Sequence, residues 1–474
     1  MEWSDYQKNI FEEVAEGDDH LVVVARAGSG KTSTIVESLN HLDSRNDVML
    51  CAFNKGIQKE LEVRAPPHVR VKTLHAIGFG ALAKGIGGKF KVDAGKVKAI
   101  IKDLQKHEYG PLSFPDGRYK LGHLTALAKN TLSESKEEIE DLAHQFDLED
   151  GENLKADEMA EVVLKILDRC AEDTSVIDFD DMLWLPHRLE VDPYPQDVVF
   201  VDEGQDLNAA QTSLVQKMMG PYGRLIAVGD DKQAIYAWRG AGRDVIPSLI
   251  DEFEAKVLPL SITYRCPKKV VGVANEVVPD FYAAPDAEEG EFSDALIEQL
   301  EVEAKPGDYV LSRTNAPLIS VCLSFLKRDI PAALAGRDMA KTLSTLARRS
   351  KKTTAKQLRA WLTNHLQSEK DRLEVEGYDQ RYEYIKDKVH CLLALSEGMG
   401  TVDDVINRIQ KIFSDTDDKN VILCSTVHKA KGLERDKVWM LRNTFNIENS
   451  GGQERNIYYV AVTRAHKHLV FVHT

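Results

Sequence analysis

Residues 21–32 read LVVVARAGSGKT, an apolar run followed by a loop of small residues and a Lys-Thr pair. The apolar run predicts a short buried strand, and residues 32–42 have the pattern of a helix. In a loop between a strand and a helix, backbone N–H groups converge on phosphate, and a Lys and a hydroxyl reach the phosphates and Mg²⁺. We therefore expect Lys31 at the β- and γ-phosphates of a nucleotide and Thr32 at the metal.

Candidate strands, most of them apolar, alternate with helical patterns along the rest of the chain. Those in the first half are residues 48–53, 69–74, 198–201 and 225–228, and those in the second half are residues 308–311, 421–424, 438–441 and 468–472. Strands that alternate with helices are typical of parallel sheets covered on both faces. The sequence predicts an α/β fold with two parallel-sheet cores.

Two long stretches contain charged amphipathic helices and few apolar runs, and they set the predicted domain bounds. The first core is expected at residues 1–80 and 177–256, with a helical insertion at 81–176. The second core is expected at residues 257–337 and 416–474, with a helical insertion at 338–415. Each core is thus predicted to be interrupted once by a mainly helical segment.

The composition favours a globular protein. Of 474 residues, 29% are charged and 43% are hydrophobic, and there is no window of 18 apolar residues. The acidic, polar N-terminus does not resemble a secretion signal. The six cysteines are far apart without a CxxC pair, so we expect isolated thiols in a reducing compartment.

The charge is unevenly distributed. The net charge of −15 argues against coating nucleic acid through bulk charge, so any nucleic-acid contact must be a local groove. Residues 341–359 (KTLSTLARRSKKTTAKQLR) carry seven basic residues and no acid. This run is either a duplex-binding surface or the solvated face of a helix.

Two acids follow the apolar run at residues 198–201, in the sequence VVFVDE. They are predicted at the carboxyl end of a buried strand, where ligands bind in such sheets. Asp202 is expected to bind Mg²⁺, and Glu203 to accept a proton from the attacking water. Adjacent acids at a strand end are also common as solvated loop residues, and the phosphate loop (residues 25–32) favours the catalytic interpretation.

A second polar turn follows residues 225–228, in the sequence AVGDDKQ. Gln233 at its end is expected to sense the γ-phosphate or orient water. Tyr236 and Trp238 beside Arg239 suit stacking on unpaired bases, although such aromatics also occur in cores.

Two arginines in the second half suit phosphoryl transfer, which gains from a cation near the developing charge. They are Arg265 in SITYRCP and Arg464 in YYVAVTRA. An isolated arginine is more often a surface residue, so their assignment depends on the other motifs.

In this order the motifs resemble the UvrD/Rep/PcrA family of superfamily 1 DNA helicases over nearly the whole chain. DEGQD at residues 202–206 is similar to the family's DExQD, and GDDKQAIYAWRGA at 229–241 is the most specific match. FNKGIQKELE at residues 53–62 resembles the compact F-box DNA helicase branch and phage-type relatives, without the F-box. The resemblance implies that both cores are RecA-like.

The resemblance also implies roles for individual residues. Gln7 and Tyr264 would contact adenine, Glu434 the ribose, and Arg265 the γ-phosphate. The remaining ATP-binding residues implied are Ala25, Arg26, Ala27, Gly28, Ser29, Gly30, Lys31, Thr32, Ser33 and Arg464. The implied DNA-binding residues are Phe53, Asn54, Lys55, Thr73, His75, Tyr236, Trp238, Arg239 and His428.

The function that we expect from the sequence is an ATP-dependent DNA helicase that moves 3′-to-5′ on single-stranded DNA with ATP and Mg²⁺. Single strands and junctions with duplex would be its partners, in the cytoplasm or nucleoid, or in a nucleus, without a membrane or an obligate oligomer. One alternative is a translocase that strips proteins such as recombinase filaments from single strands. Another is an ATP-gated DNA clamp with little turnover.

The sequence departs from the family pattern at two places, Ser33 and residues 338–415. Ser33 stands where the family often has an arginine that stacks on adenine. Residues 338–415 are under half the usual length of the family's 2B subdomain, so large swivelling of that subdomain is expected to be reduced or absent.

Overall fold

The computed structural model describes residues 2–87, 89–107, 115–146, 148, 155–235, 244–376, 379–414, 420–447 and 452–473. The chain divides into two units, Met1–Ser261 and Ile262–Thr474. Tyr236, Trp238 and Arg239, predicted to contact DNA, lie outside the described residues.

The first unit contains a parallel sheet and helices on both of its faces. Its elements in chain order are α1 (Asp5–Glu16), β1 (Leu21–Ala25), α2 (Lys31–Leu39), β2 (Val48–Ala52), α3 (Lys55–Arg64), β3 (Val69–Thr73), α4 (Leu74–Gly85), β4 (Lys91–Val92), α5 (Lys96–His107), α6 (Pro115–Thr131), α7 (Lys136–Gln145), α8 (Ala156–Glu172), β5 (Val176–Ile177), α9 (Asp181–Arg188), β6 (Gln196–Val201), α10 (Ala209–Met218), β7 (Met219–Gly229), α11 (Val245–Glu252) and β8 (Lys256–Leu260).

The sheet of the first unit has six strands in the order β3-β2-β6-β7-β1-β8, and all its pairs are parallel. Its apolar strands are buried on both faces by two hydrophobic clusters, one with Val22 and Val199 and the other with Val23 and Phe200. Because the strands are parallel, β1, β2, β3, β6 and β7 all end at the same edge of the sheet.

The helices α5 to α8 form a separate hydrophobic cluster with residues of α9, including Trp184. Beside it lies a buried ionic network. Lys129 Nζ contacts Asp178 Oδ2 at 3.0 Å and Asp181 Oδ1 at 2.7 Å, and Lys96 Nζ contacts Asp181 Oδ2 at 2.8 Å. Burial opposes the charge of Lys129, but the carboxylates of Asp181 and Asp178 outweigh it and raise the pKa of Lys129. The network attaches α5 and α6 to α9.

The second unit contains another parallel sheet. Its elements in chain order are β9 (Ile262–Thr263), α12 (Lys268–Ala274), β10 (Tyr282–Ala283), β11 (Glu291–Leu296), α13 (Ile297–Glu303), β12 (Tyr309–Ser312), α14 (Asn315–Lys327), β13 (Ala332–Ala335), α15 (Arg337–Arg349), α16 (Ala355–Glu376), α17 (Asp379–Leu395), α18 (Val402–Ile412), β14 (Phe413–Ser414), β15 (Ile422–Thr426), α19 (Val427–Ala430), β16 (Arg435–Leu441), α20 (Gly452–Val462) and β17 (Ala465–His473). Seven strands pair in the order β11-β17-β16-β12-β15-β13-β14.

The predicted α/β class with two parallel-sheet cores is confirmed. The unit boundary differs from the predicted one, because β8 pairs in parallel with β1 and therefore belongs to the first unit. The second helical segment also differs in its packing. Leu343, Leu358, Val389 and Ile409 share one hydrophobic cluster with Val310 of β12, so these helices are part of the core beside the sheet.

No helix among the described residues is long and apolar enough to cross a membrane. All six cysteines are buried free thiols.

We predict that Asp181→Ala lowers the free energy of unfolding of the first unit by about 3–5 kcal/mol, because it leaves Lys96 and Lys129 buried without their shared partner. Urea denaturation followed by circular dichroism measures the change. Glu161→Ala, which breaks the exposed pair with Lys136, is the control and should leave the transition where it is in the unaltered protein. Equal transitions for the two variants would contradict the structural role of the network.

Candidate active site

The phosphate loop leaves β1 at the carboxyl edge of the first sheet. Gly28 and Gly30 have φ angles of 67° and 81°, which L side chains rarely adopt, so glycine is required at both positions. α2 begins directly after Gly30, and its first N–H groups therefore face the loop. The hydroxyl of Ser29 is fully buried and has no hydrogen-bond partner among the described residues. A buried donor of this kind fits a phosphate oxygen.

Two carboxyl groups follow β6 at the same edge. Thr32 Oγ1 lies 3.5 Å from Asp202 Oδ2, and Lys31 Nζ lies 3.5 Å from Glu203 Oε2. Burial, and then the charge of Glu203, raise the pKa of Asp202 to about 7, although Lys31 acts in the opposite direction. Glu203 has a φ of 53°, a left-handed conformation that turns the chain sharply after the strand. The structure thus brings four of the predicted catalytic and metal-binding residues together.

Thr32 and Asp202 fit a Mg²⁺ ion by the chemistry of their oxygen atoms. Burial and the charge of Glu203 raise the pKa of Asp202 in spite of the charge of Lys31, and a divalent cation would offset both effects. Within the described residues there is no group of three or more His, Cys, Asp or Glu side chains that could hold a metal ion. A small number of protein ligands is typical of Mg²⁺, because this ion usually takes its other ligands from phosphate and water.

A chain of polar contacts connects Glu203 with the turn after β7. Gln205 Nε2 donates to Glu203 Oε2 at 2.5 Å, and Gln205 Oε1 accepts from the backbone N–H of Asp230 at 2.9 Å. Gln233 Nε2 in turn donates to Asp230 Oδ2 at 2.7 Å. Our sequence analysis did not select Gln205 or Asp230. Their position within DEGQD and GDDKQ, directly after neighbouring strands, was the signal that could have identified them.

Gln7 is only 4% exposed and lies beside the start of α2. Its Nε2 donates to Thr34 Oγ1 at 3.0 Å, and its Oε1 accepts from the backbone N–H of Ser4 at 3.1 Å as part of a capping box for α1. The amide predicted to contact adenine therefore also holds α1 against α2.

Ser33, the residue after the phosphate loop, has a cationic neighbour. Arg64 Nη2 at the end of α3 donates to Ser33 Oγ at 3.3 Å. The guanidinium thus lies next to the position where the family resemblance implies an arginine. Sequence spacing alone could not indicate this contact, because the two residues are on different helices.

The described residues of the first unit that were predicted to bind DNA lie at or just after the ends of β2 and β3. Phe53 is 44% exposed and lines a small pocket with His75 and Asp202. Burial lowers the pKa of His75, which favours its neutral form. Asn54 and Thr73 cap the first turns of α3 and α4, and Lys55 is exposed.

In the second unit, the carboxylate of Glu434 contacts two ionisable side chains. Arg265 Nε lies 2.5 Å from Glu434 Oε2, and His466 Nε2 lies 3.1 Å from Glu434 Oε1. The contact with His466, together with the charge of Arg265, outweighs burial and lowers the pKa of Glu434 to about 2. Glu434 is therefore ionised at neutral pH. Tyr264, next to Arg265, is 51% exposed, as a stacking platform requires.

Arg464 is buried rather than directed into solvent, with only 1% of its surface exposed. Its Nε donates to the carbonyl oxygen of Val460 at 2.8 Å, and its Nη2 to Thr463 Oγ1 at 3.3 Å. Burial, and then the charge of Arg265, lower the pKa of Arg464 to about 10. His428, also predicted to bind DNA, is partly exposed on the short helix α19.

Comparison with known proteins gives a match to a helicase domain in each of the two units. Residues 5–254 match the UvrD/REP helicase N-terminal domain, and residues 339–474 match the UvrD-like helicase C-terminal domain. A protein of Staphylococcus epidermidis (strain ATCC 35984) named ATP-dependent DNA helicase PcrA is 27% identical over 383 residues, which cover 69% of this chain and 51% of that protein. A protein of the same name from Staphylococcus aureus (strain Mu50) is 26% identical over 378 residues, which cover 69% of this chain and 50% of that protein.

The chain spans about half the length of these curated relatives. The match to the N-terminal domain alone covers more than half of the chain and includes the phosphate loop, both carboxyl groups and Gln233. The match to the C-terminal domain includes Glu434 and Arg464. The resemblance of the motifs is confirmed, and the chain belongs to the UvrD/REP helicase family.

Proposed function

We propose that this protein is an ATP-dependent DNA helicase that translocates on single-stranded DNA in the 3′-to-5′ direction. The proposal is based on a series of contacts between the phosphate loop and the turn that contains Gln233. Lys31 contacts Glu203, Glu203 accepts from Gln205, and Gln205 accepts from the backbone of that turn. The relatives named ATP-dependent DNA helicase support the activity. The direction rests on the family resemblance alone.

ATP hydrolysis would use the side chains at the carboxyl edge of the first sheet. The ammonium group of Lys31 would leave Glu203 for the phosphates of ATP, because they carry more negative charge. Glu203 would then be available to accept a proton from the attacking water. Mg²⁺ held by Thr32 and Asp202 would supply positive charge to the phosphates.

By the family resemblance, Arg265 and Arg464 would act in hydrolysis. Arg265 has a carboxylate partner in Glu434, and an anionic phosphate would compete with that partner. Arg464 is held at a buried position by the carbonyl oxygen of Val460 and the hydroxyl of Thr463, so it would act with little freedom of movement. Both arginines would stabilise the charge that develops on the transferring phosphoryl group.

Single-stranded DNA would lie along the residues that follow β2 and β3. Phe53 is exposed enough to stack on a base, and stacking contributes about 1–3 kcal/mol per base. This free energy holds a strand and still permits release in each cycle. Lys55 adds an exposed cation for the backbone phosphates.

We predict that Glu203→Gln lowers the rate of ATP hydrolysis in the presence of single-stranded DNA by about 10²–10⁴-fold, because the amide cannot accept the proton. ATP binding should persist, because Lys31 and the phosphate loop are unchanged. Steady-state hydrolysis and equilibrium binding of a fluorescent ATP analogue measure the two effects.

Glu190→Gln is the matched control, since Glu190 is exposed and also has a left-handed backbone with φ of 52°. It should hydrolyse ATP at the rate of the unaltered protein. Full turnover by Glu203→Gln would contradict the assignment of Glu203 as the base. Failure of single-stranded DNA to stimulate the unaltered protein would favour the ATP-gated clamp instead.

Unwinding is the part of the proposal that distinguishes a helicase from a protein-stripping translocase. The basic surface formed by Arg348, Arg349, Lys351 and Lys352 supports unwinding, because all four side chains are exposed at the end of α15 and just beyond it. Leu343 and Ala347 on the opposite side of α15 are fully buried. The four cations are thus accessible to the phosphates of a duplex.

We predict that replacing these four basic residues with Gln weakens binding to duplex DNA and flattens its salt dependence by about one counterion for each phosphate that the variant no longer binds. Fluorescence anisotropy over a series of salt concentrations measures the slope. The control replaces four exposed lysines that have acidic partners, and it should leave the slope unchanged; these lysines are Lys8, Lys91, Lys136 and Lys467.

An unchanged salt slope in the first variant would show that residues 341–359 are only a solvated helix face.

The protein-stripping translocase is tested by comparing displacement of a labelled strand with displacement of a recombinase filament, both in the presence of ATP. Strand displacement from tailed duplexes is expected. Filament removal without strand displacement on any tailed or forked substrate would favour the translocase.

A further inference from the structure

Arg26 lies in the phosphate loop, but its side chain contacts a different turn. The residue is only 5% exposed. Its Nη1 lies 3.1 Å from Asp230 Oδ1 and 2.6 Å from Asp231 Oδ1. Its backbone N–H donates to the carbonyl oxygen of Leu260 at 2.9 Å, which fixes the start of the loop to β8. The guanidinium therefore joins the phosphate loop to the turn after β7.

Asp230 is the point at which these contacts meet. It is fully buried, and its Oδ2 accepts from Gln233 Nε2 at 2.7 Å while its Oδ1 accepts from the backbone N–H of Lys232 at 3.1 Å. Its own N–H donates to Gln205. A carboxylate with a donor on each oxygen has one preferred orientation, so Asp230 fixes the amide of Gln233.

The charge of Asp230 requires compensation. A buried carboxylate is unfavourable unless cations or hydrogen-bond donors offset the loss of water. Burial raises the pKa of Asp230, and the charges of Lys31 and Arg26 oppose that rise. Both cations belong to the phosphate loop, so a movement of the loop changes the surroundings of Asp230 directly.

We propose that Arg26 is a positioning residue which couples the phosphate loop to Gln233 through Asp230, and not a ligand of ATP. When the loop adjusts to the phosphates, Arg26 shifts with it, and the orientation of Asp230 and of the Gln233 amide follows. The inference rests on the proposed function, because Gln233 is the residue expected to report the nucleotide to the DNA-binding side.

The test compares full-length Arg26→Ala and Arg26→Lys with the unaltered protein in steady-state ATP hydrolysis, with and without oligothymidine. For Arg26→Ala we expect the KM for ATP to stay within about twofold, and the stimulation by oligothymidine to fall about tenfold, the range of a typical coupling between sites. Arg26→Lys keeps one cation near Asp230 and should recover part of the stimulation. A purely structural role would not produce this separation of KM from stimulation.

A second variant keeps the test valid if Arg26→Ala does not fold. Asp231→Asn removes only the outer charge, since the Asp231 side chain is 25% exposed and Asp230 keeps its own contact with Arg26. Asp231→Asn should also lower the stimulation by oligothymidine, but by a smaller factor than Arg26→Ala. Circular dichroism and thermal unfolding establish that each variant is folded.

Three outcomes would overturn the inference. First, a raised KM for ATP with unchanged stimulation by oligothymidine would make Arg26 an ATP ligand. Second, the coupling role would be excluded if Arg26→Lys and Asp231→Asn both kept the KM and the stimulation of the unaltered protein, while Arg26→Ala was either unchanged or unfolded. In both cases the unaltered protein is still stimulated by oligothymidine, so the proposed function stands. An unaltered protein without stimulation would overturn the proposed function together with this inference.

Discussion

The compensation of buried negative charge at one edge of the first sheet is the constraint on which the site depends. Parallel pairing brings the ends of β6 and β7 next to each other, and each is followed by a buried carboxyl group, Asp202 or Asp230. The loop after β1 supplies the two cations that oppose this charge, Lys31 and Arg26. Strand order, loop conformation and site chemistry are therefore linked: without the cations, two carboxyl groups would be buried at a high cost in free energy.

Most of the first sheet could be predicted from the sequence because its central strands contain apolar runs. The runs at residues 48–53 and 198–201 correspond to β2 and β6, which are buried on both faces. Of the strands at the sheet edges, β3 was predicted, but β8, β11 and β14 were not. β8 contains Pro259, which an edge strand tolerates, and β11 is mostly exposed, with polar side chains at half of its positions. Their membership depends on neighbouring strands that sequence patterns do not reveal.

Residues 338–415 were predicted to be mainly helical, but the surface against which their apolar faces pack was not predicted. Amphipathic periodicity indicates that a helix has a buried face, without indicating which surface covers it. In the structure, Leu343 and Ile409 are buried in the same cluster as β12. The short length of this segment is consistent with that packing, because a separate subdomain would need a hydrophobic core of its own.

For the site, residue type and strand ends were sufficient to place Lys31, Thr32, Asp202 and Glu203 together. Side-chain partners were not predictable, because they depend on distances between elements that are far apart in sequence. Arg26 belongs to the phosphate loop by sequence, but its guanidinium contacts Asp230, more than 200 residues later. The contact of His466 with Glu434 arises in the same way.

The central claim is that ATP hydrolysis moves this protein along single-stranded DNA. The most direct measurement is stopped-flow fluorescence with single strands of increasing length, labelled at the 5′ end, after ATP is mixed with the bound protein. The account predicts that the delay before the signal from arriving protein increases linearly with the length of the strand. A delay that does not change with length, while ATP is hydrolysed, would contradict it.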